Sequence, residues 1–202
     1  GGDFLTDGGM ETTFFFHRGM DLPHFAAFPL LDTDEGCTEI IRYLEPYIDI
    51  ARERSVGFIL DSPTWRANPD WGLKLGYDDA ALVALNIRSI KFLEELRQRW
   101  ETPDMPIVLE GAIGPRGDGY KAGNMDAAEA EDYHSLQIEA FEKSNADQVA
   151  AFTLSTTGEA IGIARASKAL DMPCVISFTV ETDGRLANGV RLQEAIETTD
   201  EA

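Results

Sequence analysis

Hydrophobic positions along this chain fall into two alternating patterns. Short, nearly all-apolar runs occur at Phe4-Leu5-Thr6, Gly57-Phe58-Ile59-Leu60, Ile107-Val108-Leu109, Gln148-Val149-Ala150-Ala151-Phe152 and Cys174-Val175-Ile176-Ser177-Phe178. Such runs are what strands covered on both faces require. Longer amphipathic stretches separate them. Thr38 can cap a helix carrying Ile41, Leu44, Ile48 and Ala51 on one face. Pro46 inside that stretch predicts a kink or two shorter helices. Asp78 or Asp79 opens a long helix with Leu82, Leu85, Phe92, Leu93 and Leu96 on one stripe. Asp126-Ala127-Ala128-Glu129 and Thr156-Thr157-Gly158-Glu159 read as helix starts, with Tyr133, Leu136 and Ala140 facing inward in the first of these helices. A last helix is expected over Leu192 to Thr198.

Strand and helix in strict alternation imply parallel strands joined by right-handed crossovers. An open doubly wound sheet and a closed barrel both satisfy that order. Each predicted strand is followed by a polar residue: Asp7, Asp61, Glu110, Thr153 and Thr179. In a barrel these ring the mouth where the active site sits. An open sheet gathers its ligand groups at one switch point instead, and no GxGxxG turn follows the first strand here. The pattern therefore favours one α/β domain over residues 1–202, of the (β/α)₈ TIM-barrel type with about the first five β/α units present. Complete barrels run to about 250 residues, so the chain is expected to be truncated at its C-terminal end.

Charge narrows the partners. The 202 residues carry 17 basic and 36 acidic side chains, a net charge of −19. That surface repels phosphate backbones and anionic lipid, which argues against nucleic-acid and membrane partners. No apolar run approaches the roughly 20 residues that span a bilayer, and no signal-peptide pattern opens the chain. Cys37 and Cys174 form no CxxC pair and fit a reducing, cytoplasmic setting.

Candidate chemistry lies in the loops after the strands. Asp7-Gly8-Gly9-Met10-Glu11-Thr12 offers a carboxylate and two glycines that let the backbone approach a ligand; a tight turn with a solvated Asp reads equally well. Asp61-Ser62-Pro63-Thr64-Trp65-Arg66-Ala67-Asn68-Pro69 places hydroxyls, an indole and a guanidinium at the same mouth. Arg66 could receive a substrate carboxylate through its planar fork, or hold Asp61 or Asp70 in a structural pair. Glu110-Gly111-Ala112-Ile113-Gly114-Pro115-Arg116-Gly117-Asp118-Gly119-Tyr120 is a glycine-rich loop able to approach a ligand or act as a lid, and it is not a phosphate-binding Walker loop. His17, His24 and His134 lack metal-ligand spacing, which leaves them surface or structural roles. No serine nucleophile elbow occurs, so residue chemistry alone names no catalytic residue.

At these same loops the sequence resembles the homocysteine S-methyltransferase family. Leu5-Thr6-Asp7-Gly8-Gly9-Met10-Glu11-Thr12 is similar to that family's opening Asp-Gly-(Gly/Ala)-Met-Gly-Thr signature, and Ser62-Pro63-Thr64-Trp65-Arg66-Ala67-Asn68 to its Thr-x-Thr-(Phe/Tyr)-x-Ala-(Ser/Asn) segment. Gly111-Ala112-Ile113-Gly114-Pro115 resembles its Gly-x-(Ile/Val)-Gly-Pro loop, and Ile176-Ser177-Phe178-Thr179 with Asp183-Gly184-Arg185-Leu186 its fifth-strand stretch. The resemblance implies a (β/α)₈ barrel that transfers a methyl group to homocysteine sulfur, held as thiolate by a zinc ion on three cysteines. It places Asp7, Gly8, Gly9 and Thr64 at the homocysteine site, to which the chemistry of Arg66 adds a further candidate. Thr153 stands where the family often has a glutamate for the homocysteine amine. The family's zinc cysteines follow the sixth and eighth strands, whereas this chain ends at Ala202, where the sixth would begin. Neither Cys37 nor Cys174 falls where it could substitute.

From this follow several expectations: no metal ligands in these residues, no catalytic zinc bound, no methyl transfer by this chain as it stands, and self-association through open barrel edges. Two alternatives remain, a metal-free small-molecule binding barrel and a barrel lyase using Asp61 or Glu110 as general base.

Overall fold

A computed structural model describes residues 2–202. Five strands alternate with helices: β1 (Phe4–Leu5), α1 (Met10–Thr12), α2 (Asp34–Arg54), β2 (Gly57–Asp61), α3 (Pro69–Lys74), α4 (Asp79–Trp100), β3 (Ile107–Ile113), α5 (Ala127–Glu142), β4 (Gln148–Leu154), α6 (Thr157–Ala169), β5 (Cys174–Phe178) and α7 (Leu192–Asp200). All strand pairs are parallel, and the sheet runs β1-β2-β3-β4-β5. A doubly wound sheet would reverse strand order part-way. This unbroken sequence is instead the order of a TIM barrel opened along one side. The main core lies between the sheet and its helices, where Phe14, Ile40, Leu44, Phe58, Leu60, Leu93 and Phe141 are almost entirely buried.

Several local expectations are corrected. The first long helix is capped by Thr33, whose side chain accepts from the Gly36 amide. Thr38 lies a turn inside, donating back to the Asp34 carbonyl at 2.8 Å, and Cys37 lies beside it within α2. Pro46 does not split α2. Proline removes the N–H that would bond the carbonyl four residues back. That carbonyl, on Arg42, accepts from Arg18 Nη2 at 3.4 Å, while Arg18 Nη1 also holds the Glu39 carboxylate at 2.9 Å. Asp78 and Asp126 do cap their helices, each accepting an amide three residues on, at 2.8 and 2.9 Å. Thr156 precedes α6 without a capping hydrogen bond.

The strand ends are corrected too. β2 ends on Asp61 itself, β3 runs on to Ile113 and β4 to Leu154, so Asp61, Glu110 and Thr153 lie inside strands rather than after them. Glu110 is buried in register with Asp61 on one side and Gln148 on the other, and the Gln148 side-chain amide donates to its Oε2. Among the described residues no helix is long and apolar enough to cross a membrane.

Candidate functional site

The turn after β1 begins the site. Gly8 donates its amide to the Tyr43 hydroxyl of α2 at 3.1 Å. A Cβ at Gly8 would stand 3.0 Å from the Tyr47 hydroxyl, and one at Gly9 3.2 Å from Thr12 Oγ1. Gly8 thus seats the turn against α2 and Gly9 lets it close on α1, and Asp7 lines a cavity of about 330 Å³ at the carboxyl ends of the strands. Asp7, Gly8, Gly9, Glu11, Asp61, Ser62 and Thr153 supply its polar wall, and Phe25, Trp65, Tyr120 and Phe152 its aromatic one. Among the described residues no lysine, arginine or histidine lines it.

Three carboxyl groups therefore face one space without a lining cation. Burial pushes Asp7 up to about 6, the Tyr43 hydrogen bond opposing it only in part. Burial likewise pushes Glu11 up to about 7, with the Asp7 charge adding to the rise and the Arg66 charge opposing it. Asp61 is driven well above the ordinary carboxylate range by burial first, then by its contact with Glu110 and the charge of Asp7. Its Oδ1 is buried without a hydrogen-bond partner. Ionising one of these groups makes the next harder to ionise, so the cavity holds protons near neutral pH and welcomes a positive charge.

Thr153 closes one side. It sits where the β4–β5 register shifts, with φ at +59°, a conformation that a β-branched residue adopts only under strain. Its hydroxyl donates to the Phe152 carbonyl at 2.7 Å and accepts from Trp65 Nε1 at 3.1 Å, which pins the indole as a cavity wall.

Two expected site residues are placed elsewhere. Thr64 is fully buried, its hydroxyl bonded to Ser62 Oγ at 2.6 Å and to the Ala112 carbonyl at 2.8 Å. It locks the β2–α3 loop to β3 from beneath, while its neighbours Ser62, Pro63 and Trp65 reach the cavity. The Arg66 guanidinium lies 4.1 Å from the Trp71 ring centre and 4.7 Å from that of Trp65, and it donates to the His24 carbonyl. This stacking turns it away from the cavity wall, which it does not line. Glu110 does not line the cavity either.

Glu11, Phe25 and Tyr120 are cavity residues that the sequence reading did not single out. For Glu11 a signal existed: it stands where the resembled signature has glycine. Tyr120 ends the glycine-rich loop read as able to approach a ligand, whereas Phe25 arrives from a separate loop for which spacing gives no hint.

A family model described as homocysteine S-methyltransferase matches residues 4–202. The chain belongs to the homocysteine S-methyltransferase family. This is a family of enzymes that methylate homocysteine. No curated protein matches the sequence. Among solved structures, the homocysteine methyltransferase MmuM from Escherichia coli is similar in three forms. The oxidized form has a TM-score of 0.78 at 22% identity, covering 98% of this chain and 69% of that one. The metallated form gives 0.77 at 20%, covering 98% and 70%. The apo form gives 0.71 at 22%, covering 100% and 68%. Likeness at that identity shows the fold, a partial TIM barrel.

The zinc that the family resemblance implies does not fit the residues described. Among them no group of three or more His, Cys, Asp or Glu side chains is placed to hold a metal ion. Cys37 lies within α2 and Cys174 opens β5, and burial pushes both thiols up, opposite to what a thiolate ligand needs.

Proposed function

We propose that the cavity at the strand ends is the acceptor site of a methyl transfer to homocysteine sulfur, giving methionine. The observation that carries this reading is the anionic, aromatic-walled cavity built on the Asp7-Gly8-Gly9 turn of a chain in this family. A substrate ammonium is drawn to Asp7 and Glu11, and its apolar arm packs against Trp65 and Phe152.

In the transfer, a sulfur–methyl bond forms as the donor's bond to that methyl breaks, and the donor keeps the electron pair. The thiol must give up its proton before it attacks. Neighbouring carboxylates oppose that loss, since they disfavour a second negative charge. Activation of the sulfur therefore calls for a positive charge that the lining does not contain, the role the family's zinc would fill. Asp7 and Glu11 bind and orient the acceptor, and methyl transfer by these 202 residues alone is not expected.

Calorimetric titration with homocysteine, with and without added zinc, tests the reading. Binding is expected without zinc. It should tighten as pH rises through about 6 and 7, where Asp7 and Glu11 ionise. Asp7→Asn should weaken it about tenfold, the loss of one charge-assisted contact. Absent binding, or equal binding by Asp7→Asn, would sink the assignment.

One observation favours a second reading. Burial and its carboxyl neighbours push Asp61 well above the ordinary carboxylate range beside the cavity, a shift that suits a carboxyl to proton abstraction as the general base of a barrel lyase. A barrel lyase built on Asp61 would lose its turnover in Asp61→Asn; full turnover in that variant would remove the reading.

A further inference from the structure

The segment after β3 is tied down at two points, and both anchors come from the loop and helix after β4. Glu159 of α6 is almost completely buried, yet it lies outside the cavity. Its Oε1 accepts the Arg116 backbone N–H at 2.7 Å and meets His134 Nε2 of α5 at 2.9 Å. Five residues on, the Lys121 carbonyl accepts from Ser155 Oγ at 2.8 Å. Between these anchors the chain carries Tyr120, which lines the cavity while 70% exposed.

Contact with the floor is close. A Cβ at Gly119 would stand 2.9 Å from Thr153 Oγ1, so only glycine lets the segment rest on the residue that pins Trp65. The Arg116 side chain steadies the same root from outside, bonded to Asp70 and Glu129, each at 2.9 Å.

We infer that Glu159 is a positioning residue: through the Arg116 amide it holds residues 116–121 as a strap at the cavity, so that Tyr120 meets the bound acceptor. Isolating a carboxylate from water is costly unless it accepts hydrogen bonds. Here the two donors are a strap amide and a histidine that is itself fully enclosed, so removing the carboxylate frees the strap at its root. Ser155 is the second, weaker anchor, because it bonds through a neutral hydroxyl. The inference rests on the cavity being the acceptor site.

Amide hydrogen exchange of the whole chain, with and without homocysteine, separates the two. In Glu159→Ala, residues 116–121 should exchange about tenfold faster or more, with α2 unchanged, and the homocysteine dissociation constant should rise about tenfold. Glu159→Gln keeps an acceptor for the Arg116 amide and should stay within about threefold of the parent in both measurements. If Glu159→Ala does not fold, Ser155→Ala is expected to show the same changes at about threefold. Unchanged strap exchange in the foldable variant, or a freed strap with unaltered affinity, overturns the inference. If the parent chain binds no homocysteine, the acceptor-site reading falls, and the exchange comparison alone decides whether Glu159 holds the strap.

Discussion

Glu11 shows how a single carboxyl can serve a ligand and burden the fold. It stands in the first helical turn after β1, and burial raises it from 4.5 to about 7. The folded chain therefore holds this proton more tightly than the unfolded chain. The sign follows by linkage: the group's contribution to stability is complete below pH 4.5 and is lost as pH rises through about 7. Ammonium binding runs the other way and needs the ionised form. In Glu11→Gln the side chain no longer titrates. Its stability advantage over the parent should grow between pH 4.5 and 7 and level off above. Denaturant midpoints of both proteins across that range check this, and a difference independent of pH would mean that Glu11 is not buried against its charge. The same substitution should weaken homocysteine binding at pH 8, so stability and affinity move in opposite directions.

Between elements, Gln137 is the connection that most constrains the site from behind. From α5 its side-chain amide reaches the Thr64 carbonyl at 2.9 Å, Asn86 Oδ1 at 3.1 Å and the Ala112 carbonyl at 3.3 Å. It thereby ties the β2–α3 loop, α4 and β3 to one helix. Gln137→Leu would leave Asn86 Oδ1 buried without a donor, while the Thr64 carbonyl keeps the Ala67 amide and the Ala112 carbonyl keeps the Thr64 hydroxyl, and should cost about 1–3 kcal/mol, read from urea unfolding. Little of this was legible in the sequence. Alternating runs and side-chain caps were, because each is a local pattern: Asp78 and Asp126 cap helices from adjacent positions. The Asp7-Gly8-Gly9 turn was legible for the same reason. Misreadings arose where a distant group intervened. Arg18 satisfies the carbonyl that Pro46 abandons, from 24 residues upstream. Gly111 looked like loop but lies in β3 in register with Val149, and it is glycine because a Cβ there would stand 2.6 Å from the Phe141 ring of α5. Thr64 and Arg66 carry suitable chemistry for a site, and only the three-dimensional packing shows that one is locked below the wall and the other stacked beside it.

At the scale of the molecule, the sheet has two edges, since β1 pairs only with β2 and β5 only with β4 among the described residues. An edge strand offers unpaired N–H and C=O groups, and apolar side chains beside it make pairing with another chain more favourable. Both conditions hold here. Phe4 on β1 is 39% exposed and Val175 on β5 is 46% exposed, and every second residue of β5 faces solvent. The net charge of −19 opposes association, but it acts over the whole surface and is screened by salt, whereas the edge attraction is local and apolar. These 202 residues are therefore expected to self-associate, more strongly as ionic strength rises. Sedimentation at several concentrations and salt levels would show it. Val175→Lys places a charge on the exposed β5 edge and should shift the population toward monomer without changing the cooperativity of unfolding, because that side chain lies outside the buried core. A parent chain that sediments as a monomer at every salt concentration would show that both edges are already blunted, and the attraction argued from Phe4 and Val175 would be wrong.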